Sequence, residues 1–469
     1  MVTLTFTEKW NPDVKIKIQI QAATIILAGL LVGPLQAAEW QTLIGNDLTG
    51  WEQEGGDAQY EIQGDQIIGY TVANSPNSFL TTQKHYSDFI LEYEMLADPA
   101  MNSGVQIRSH VGDNGVVYGY QVELDPTHRK FSGGLYDEKR RRWMYPLSRN
   151  EKGRNAFQNG QWNQFRVEAI GHSIQVWVNG IQTVAMVDDM SAEGFFGLQV
   201  HSIRDAALAG KTVRWRNMRI LTQDLEENRS LRDPEVVEIS YLLNQLTDYE
   251  VRQGWRLLWD GKTTSGWRGA KLDHFPAAGW DMEDGVLSVE RTDGGESTGP
   301  GDIVTLESFG NFELEFEFLM SEGANSGVKY FVDPDLNLGA GSAIGCEFQI
   351  LDDAVHPDAK EGVNGNRTLG SLYDLITAEN LSTEGRAKQF KGIGQWNQGR
   401  IVSHNGHVEH WLNNEKVVEY DRFSQMFRAL VAYSKYQVWP NFCEWPEGRI
   451  LLQDHGDAVS YRNIKVRER

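Results

Sequence analysis

Phe312-Glu-Leu-Glu-Phe-Glu-Phe-Leu-Met320 puts Phe312, Leu314, Phe316, Phe318 and Met320 on alternate positions, with three glutamates between the first four. Side chains of an extended chain point to its two faces in turn, so a period of two reads as a strand with one apolar face. The rhythm recurs. Phe89, Leu91, Tyr93 and Met95 form one such set, and Ile174, Val176 and Val178 another, the latter followed by the hairpin signal Asn179-Gly180. Many strands of this kind, separated by Gly-rich turns, predict an all-β chain built as a β-sandwich or jelly roll with two curved sheets per domain.

The chain repeats itself. Trp40-Gln-Thr-Leu-Ile-Gly-Asn-Asp-Leu-Thr-Gly-Trp51 returns as Trp255-Arg-Leu-Leu-Trp-Asp-Gly-Lys-Thr-Thr-Ser-Gly-Trp267. In the same order, Asn102-Ser-Gly-Val105 returns as Asn325-Ser-Gly-Val328, Gly133-Gly-Leu-Tyr-Asp137 as Gly370-Ser-Leu-Tyr-Asp374, and Gln161-Trp-Asn-Gln164 as Gln395-Trp-Asn-Gln398. Leu198-Gln-Val-His201 then matches Leu452-Gln-Asp-His455, and Arg216-Asn-Met-Arg-Ile220 matches Arg462-Asn-Ile-Lys-Val466. Six collinear matches mean two homologous domains, 39–222 and 250–469. The connection, 223–249, contains Asp233-Pro-Glu-Val-Val-Glu-Ile-Ser-Tyr-Leu-Leu-Asn-Gln-Leu246. Val236, Ile239, Leu243 and Leu246 have helical spacing behind a good N-cap, Asp233, and a Pro suited to the first helical position. The spacing predicts a short amphipathic helix there.

Residues 1–38 carry Lys15 and Lys17 ahead of an apolar run, 22–35, ended by Pro34 and followed by Gln36-Ala37-Ala38. That is the grammar of a secretory signal peptide, and the run is short for a membrane span. The expected mature protein is exported, periplasmic or extracellular, with no span of its own. The formal charge of −21, from 44 basic and 65 acidic residues, argues against nucleic acid as a partner. The two cysteines, Cys346 and Cys443, both fall in the second copy and cannot be a shared framework. Cys346 reads as a small buried thiol, with pairing to Cys443 as the alternative.

Polar residues converge on one strand face in each copy. Gln106 and Arg108 alternate with Val105 and Ile107, while Gln121, Glu123 and Asp125 share a face, as do Gln199 and His201. The second copy gives Lys329, Glu347 with Gln349, and Gln453 with His455. Tyr136 and Tyr373, each after Gly-x-Leu, could bond to or stack on a sugar ring. Carboxylate, amide, imidazole and a cation together suit a sugar hydroxyl site with an acid/base pair. The face fits an enzyme, or a protein that merely holds a glycan. Asn102-Ser-Gly and Asn325-Ser-Gly are expected to shape the backbone, with Gly supplying positive φ. Arg140-Arg-Arg142 beside Trp143 reads equally as a substrate rim or a solvated run. Asp352, Asp353 and Asp358 offer a divalent cation such as Ca²⁺ hard oxygen ligands; no other cofactor is implied. Zinc-helix, phosphate-loop and nucleophile-elbow motifs are absent from the sequence, as is a compact Glu-x-Asp-x-Glu glycosidase strand.

The ordered set Trp-x-x-Leu…Gly-Trp, Asn-Ser-Gly-Val, Glu347-Phe-Gln-Ile-Leu-Asp-Asp353, Gly-x-Leu-Tyr, Trp-Asn and Leu-Gln-Asp-His-Gly456…Arg-Asn-Ile resembles the 3-keto-disaccharide hydrolase domain family, formerly a domain of unknown function. It covers both copies. The first copy, with Tyr120-Gln-Val-Glu-Leu-Asp-Pro126, has the Glu/Gln order of that strand exchanged. The resemblance implies two tandem concanavalin A-like jelly-roll sandwiches joined by a short helix. It also implies cleavage of glycosides carrying a ketone at sugar C3. A C3 ketone acidifies the C2 proton. Glu123, Glu347, His201 or His455 could remove it, the C1 aglycone would leave by elimination, and water would then add. Arg108, Lys329, amide donors or a bound cation could stabilise the enolate oxygen. On this reading the partner is a 3-keto-sugar or another glycan; the oligomeric state stays open.

Overall fold

The computed structural model describes residues 39–292 and 301–469. The expected signal peptide, 1–38, lies outside them. Among the described residues no helix is long and apolar enough to cross a membrane.

Each copy is a two-sheet sandwich. In the first, a nine-stranded sheet packs behind a seven-stranded one whose order is Arg142–Tyr145, Leu135–Glu138, Val117–Leu124, Ser103–Val111, Phe195–Val200, Ser78–Thr82, Trp51–Gly55. In the second, an eight-stranded sheet backs a five-stranded one, ordered Ile344–Leu351, Asn325–Asp333, Arg449–Leu452, Ile303–Thr305, Trp267–Gly269. The five strands of the smaller sheet match five of the seven in order. The outer pair, Leu135–Glu138 and Arg142–Tyr145, has no strand counterpart; Leu372 makes only an isolated bridge to Phe348.

The alternating stretch is a strand, Phe312–Met320, at the centre of the second copy's larger sheet. Its apolar face joins one core, which runs from Leu258 to Val466; a separate core runs from Ile44 to Tyr241. Its glutamates are buried as well, because arginines cover them: Glu313 accepts from Arg400, Arg467 and Arg469. Duplicated tryptophans are fold landmarks, since Arg216 lies 4.1 Å over Trp162 and Arg462 4.1 Å over Trp396.

The connection departs from the expected helix. Ile239–Ser240 is a strand that runs parallel to Ile181–Val187 and widens the first copy's larger sheet. Val236 and Ile239 enter the first core, but Leu243 is 39% exposed. Asn244 takes φ +48° and exchanges backbone-to-side-chain bonds with Asn463 at 2.6 and 2.8 Å. An open sheet edge competes for this segment's backbone groups and wins over helical spacing. The short helix of the connection comes later, at Asp248–Arg252, where Thr247 and Glu250 form a capping box. Cys346 and Cys443 are buried free thiols, and burial pushes the Cys443 thiol well above its ordinary value.

Candidate active site

The seven-stranded sheet carries a cavity of about 600 Å³. Two rows of residues run across the sheet beneath it, and Gln121, Glu123, Tyr136, Trp143 and Gln199 line it. In register, one row is Gln106, Gln121, Tyr136 and Trp143, and the next is Gln199, Gly104 and Glu123. Strand pairing therefore assembles residues as far apart in sequence as Gly104 and Gln199. Period two then aims them at the same side.

Glu123 is buried, at 5% exposure. Asn102 Nδ2 donates to its Oε1 at 2.6 Å and Gln121 Nε2 to its Oε2 at 2.7 Å. Behind them, Ser109 Oγ donates to Gln106, and Gln106 Nε2 to Gln121 Oε1, at 2.6 and 2.8 Å. Gln121 Nε2 also reaches Gln199 Oε1 at 3.2 Å. Burial pushes the Glu123 carboxyl up to about 7, against the pull of those two amide donors. Burial, reinforced by the charges of Glu138 and Glu123, holds the Tyr136 hydroxyl up to about 12, so it stays protonated. His201 lines the same cavity. Its Nδ1 lies 2.8 Å from the Ser202 carbonyl, which can only accept, so Nδ1 carries the proton and Nε2 is bare when the ring is neutral. Burial lowers the His201 pKa and favours that neutral form.

Six of the eight expected residues of the first copy, Gln106, Gln121, Glu123, Tyr136, Gln199 and His201, fall on this face; two do not. Arg108 was expected beside Gln106, but the register shifts between Ile107 and His110 and Arg108 takes φ +46°. Its guanidinium leaves the face and donates to the Ser87 and Gly171 carbonyls at 2.8 Å, with Asp88 at 3.1 Å. Asp125 follows the end of its strand and is off the cavity wall; its Oδ2 holds Arg129 Nε at 3.0 Å, and Arg129 lines the cavity instead. The Asn-Ser-Gly turns also read differently. Gly104 and Gly327 do not have positive φ. They are bare because a Cβ at Gly104 would strike the Gln121 side chain and one at Gly327 the Glu347 carboxylate. Asn102 is a ligand of Glu123, which no spacing rule in the sequence shows. Of the arginine run, Arg140 and Arg141 are locked on Asp137 at 2.7 and 2.6 Å.

In the second copy, Lys329 faces Glu347 in register with Nζ 3.7 Å from its carboxylate, and donates to Ser342. Gln349 donates to Asn325 Oδ1 at 3.0 Å, and Asn325 Nδ2 lies 3.4 Å from His455 Nε2. Gln453 is buried with its backbone N–H on the Gly327 carbonyl, the counterpart of Gln199. Tyr373 N–H bonds to the Glu347 carbonyl, but its hydroxyl is held by Asp358 at 2.7 Å. The acids proposed for a cation are otherwise engaged. Asp352 accepts from the Gly323 and Ala354 amides, Asp353 pairs with Lys388 at 2.8 Å, and Asp358 pairs with Arg367 at 2.8 Å. Donors already sit where an ion's charge would be needed. Among the described residues a different group, His407, Glu409 and Glu419, could converge on an ion, but Lys416 bonds both glutamates.

Residues 39–221 and 254–467 each match the 3-keto-alpha-glucoside-1,2-lyase-like domain. A 3-keto-disaccharide hydrolase of Bacteroides thetaiotaomicron is 39% identical over 234 residues, spanning 46% of this chain and 78% of that protein. A putative glycosyl hydrolase from Parabacteroides distasonis, of known structure, is 28% identical over 48% of this chain and 99% of its own, with a TM-score of 0.42. With both copies matched and a relative of that identity, the chain belongs to the 3-keto-alpha-glucoside-1,2-lyase-like family, one domain of it in each half.

Proposed function

We propose that this protein cleaves 3-keto-glycosides in the cavity of the first copy. Membership in the family makes it a carbohydrate-active enzyme; the 3-keto substrate and the route are our reading. The observation that carries it is Glu123, a buried carboxyl held near neutral pH inside a sugar-sized cavity. A general base works best when its pKa lies near the working pH.

On this route Glu123 takes the C2 proton, and the C2–H electron pair becomes the enolate of the C3 ketone. The enolate collapses by breaking the C1–O bond, leaving a C1–C2 double bond. Tyr136, held protonated, gives its proton to the departing oxygen. Arg129 and Lys139, both on the cavity wall, supply positive charge toward the enolate oxygen. Bare Nε2 of His201 accepts from a sugar hydroxyl or draws the proton from the water that adds at C1. No second carboxylate is required, unlike a conventional glycosidase. The leader-like start of the sequence supports an exported enzyme.

Incubation with 3-keto-trehalose, followed by NMR, tests the reading. Release of glucose with a 2-hydroxy-3-keto-glucal, or with its hydrate 3-keto-glucose, is expected. Binding without any product, across several 3-keto-glycosides, would leave only a carbohydrate-holding protein.

A further inference from the structure

A second cavity, of about 400 Å³, lies between the copies and shares Arg129, Tyr136 and Trp143 with the first. Its far wall belongs to the second copy and includes Arg386, Phe390, Lys391 and Glu415. Residues 386–391 lie in the irregular stretch that leads into the strand Asn397–His404. The two walls are fixed to each other. Ser148 Oγ donates to the Asn414 carbonyl at 2.6 Å, Arg154 to the Ser382 carbonyl at 3.2 Å, and His128 lies 3.1 Å from the Glu384 carbonyl.

The charges on this wall are uneven. Arg129 is balanced by Asp125 at 3.0 Å and Arg386 by Glu415 at 3.2 Å. Arg142 and Lys391 form no ion pair with any described residue, although thirty-eight such pairs are formed elsewhere. Arg140 and Arg141, beside Arg142, are both held by Asp137, so Arg142 alone of that run is left to face the cavity. Two cations without an ion-pair partner thus stand on opposite walls of one recess, an exposed Arg142 from one copy and from the other Lys391, which burial lowers to about 8 against the charges of Glu317, Asp137 and Asp188; an anion between them would gain a contact from each.

Building on the proposed reaction, we propose that this inter-copy recess is the leaving-group subsite and that it takes an anionic aglycone, a sugar bearing a carboxylate or sulfate. The ketosugar ring then lies over Glu123, with Tyr136 at the junction, next to the bond that breaks. The aglycone's negative group lies between Arg142 and Lys391. The second copy thus completes the first copy's site, which a single domain could not form.

The test compares two 3-keto-glucosides that differ only in aglycone, glucose against glucuronic acid. The full chain is expected to favour the acidic one by about tenfold or more in kcat/KM, the range of a charge-assisted contact. Lys391→Met and Arg142→Met should each bring that ratio toward one, and Lys391→Arg should restore it. Equal use of both aglycones by the wild type, or an unchanged ratio in both variants, overturns the subsite. If no 3-keto-glycoside is cleaved, the reaction reading falls while the subsite is still decided by binding. Glucuronate alone, followed by calorimetry, should then bind more tightly than glucose and lose that advantage in Lys391→Met; no difference between the two sugars overturns it. A sulfated sugar in the same titration separates carboxylate from sulfate preference.

Discussion

Glu123 and Gln349 occupy the same place in the two copies: each lies in register with the glycine of its Asn-Ser-Gly turn, Gly104 or Gly327, and each bonds to the asparagine of that turn. The carboxylate of the second copy, Glu347, stands instead where the first has Gln121, facing Lys329 as Gln121 faces Gln106. One exchange of Glu and Gln along a strand moves the acid by two residues on the same face. It also replaces an amide partner with an ammonium.

That exchange predicts unequal copies. Glu123→Gln should lower kcat/KM on a 3-keto-glycoside by about 10³-fold, within the range for a lost general base. Glu347→Gln should cost less than tenfold. Comparable losses from both would place catalysis in both domains.

The rate should follow the ionisation of Glu123. With its carboxyl near 7, kcat/KM should rise with pH through about 7 and level off above it. Asn102→Leu removes a donor that favours the charged form, so the rising limb should move to higher pH. Stability supplies a second readout. A carboxyl whose folded value is raised above 4.5 costs the fold stability as pH climbs between the two values. Glu123→Gln should therefore be more stable than wild type at pH 8, with the gap closing toward pH 5 in urea titrations.

Tyr136→Phe should cut kcat/KM by about 10²-fold, as for loss of a positioned acid, and more for a poor leaving group than for a nitrophenyl aglycone. A loss independent of leaving group would remove Tyr136 from the acid role.

Arg108→Met should destabilise by about 2 kcal/mol, because the buried guanidinium gives up charge-assisted hydrogen bonds to the Ser87 and Gly171 carbonyls and to Asp88. Denaturant melts check this, with kcat/KM changed less than threefold for the folded fraction. A large catalytic loss at unchanged stability would return Arg108 to the site.

Arg149 of the first copy reaches Glu315 at 3.4 Å and Glu313 at 3.9 Å in the second, with all three side chains buried. Burial alone would raise the Glu313 carboxyl, but Arg400, Arg149, Arg467 and Arg469 override it and hold the group well below its ordinary 4.5. A depressed carboxyl contributes stability that is full above its unfolded value and is lost as pH falls. The wild type should thus weaken steadily below about pH 4.5, and Arg149→Met should show a shallower dependence after losing about 3 kcal/mol at pH 7. A parallel pH profile would show that Arg149 does not set the Glu313 charge.

Much of the fold is local and so was legible in the sequence. Alternation such as that of Phe312–Met320 fixes which side chains enter a core, and six collinear matches fix two copies of one sandwich. Period two also aimed Gln106, Gln121, Glu123, Gln199 and His201 at one face, because side-chain direction in a regular strand is a property of the strand itself. Where regularity ends, that logic ends. Arg108 was misplaced because the register shift depends on how its neighbour strand pairs. The 233–246 segment was misread as a helix because an open sheet edge in the first copy, not local spacing, decides its backbone bonds. Asn102 and Trp143 acquire meaning only when strands distant in sequence lie side by side. The recess containing Arg142 and Lys391 exists only because two domains dock, and burial and charge balance are properties of the packed molecule, not of any stretch of the chain.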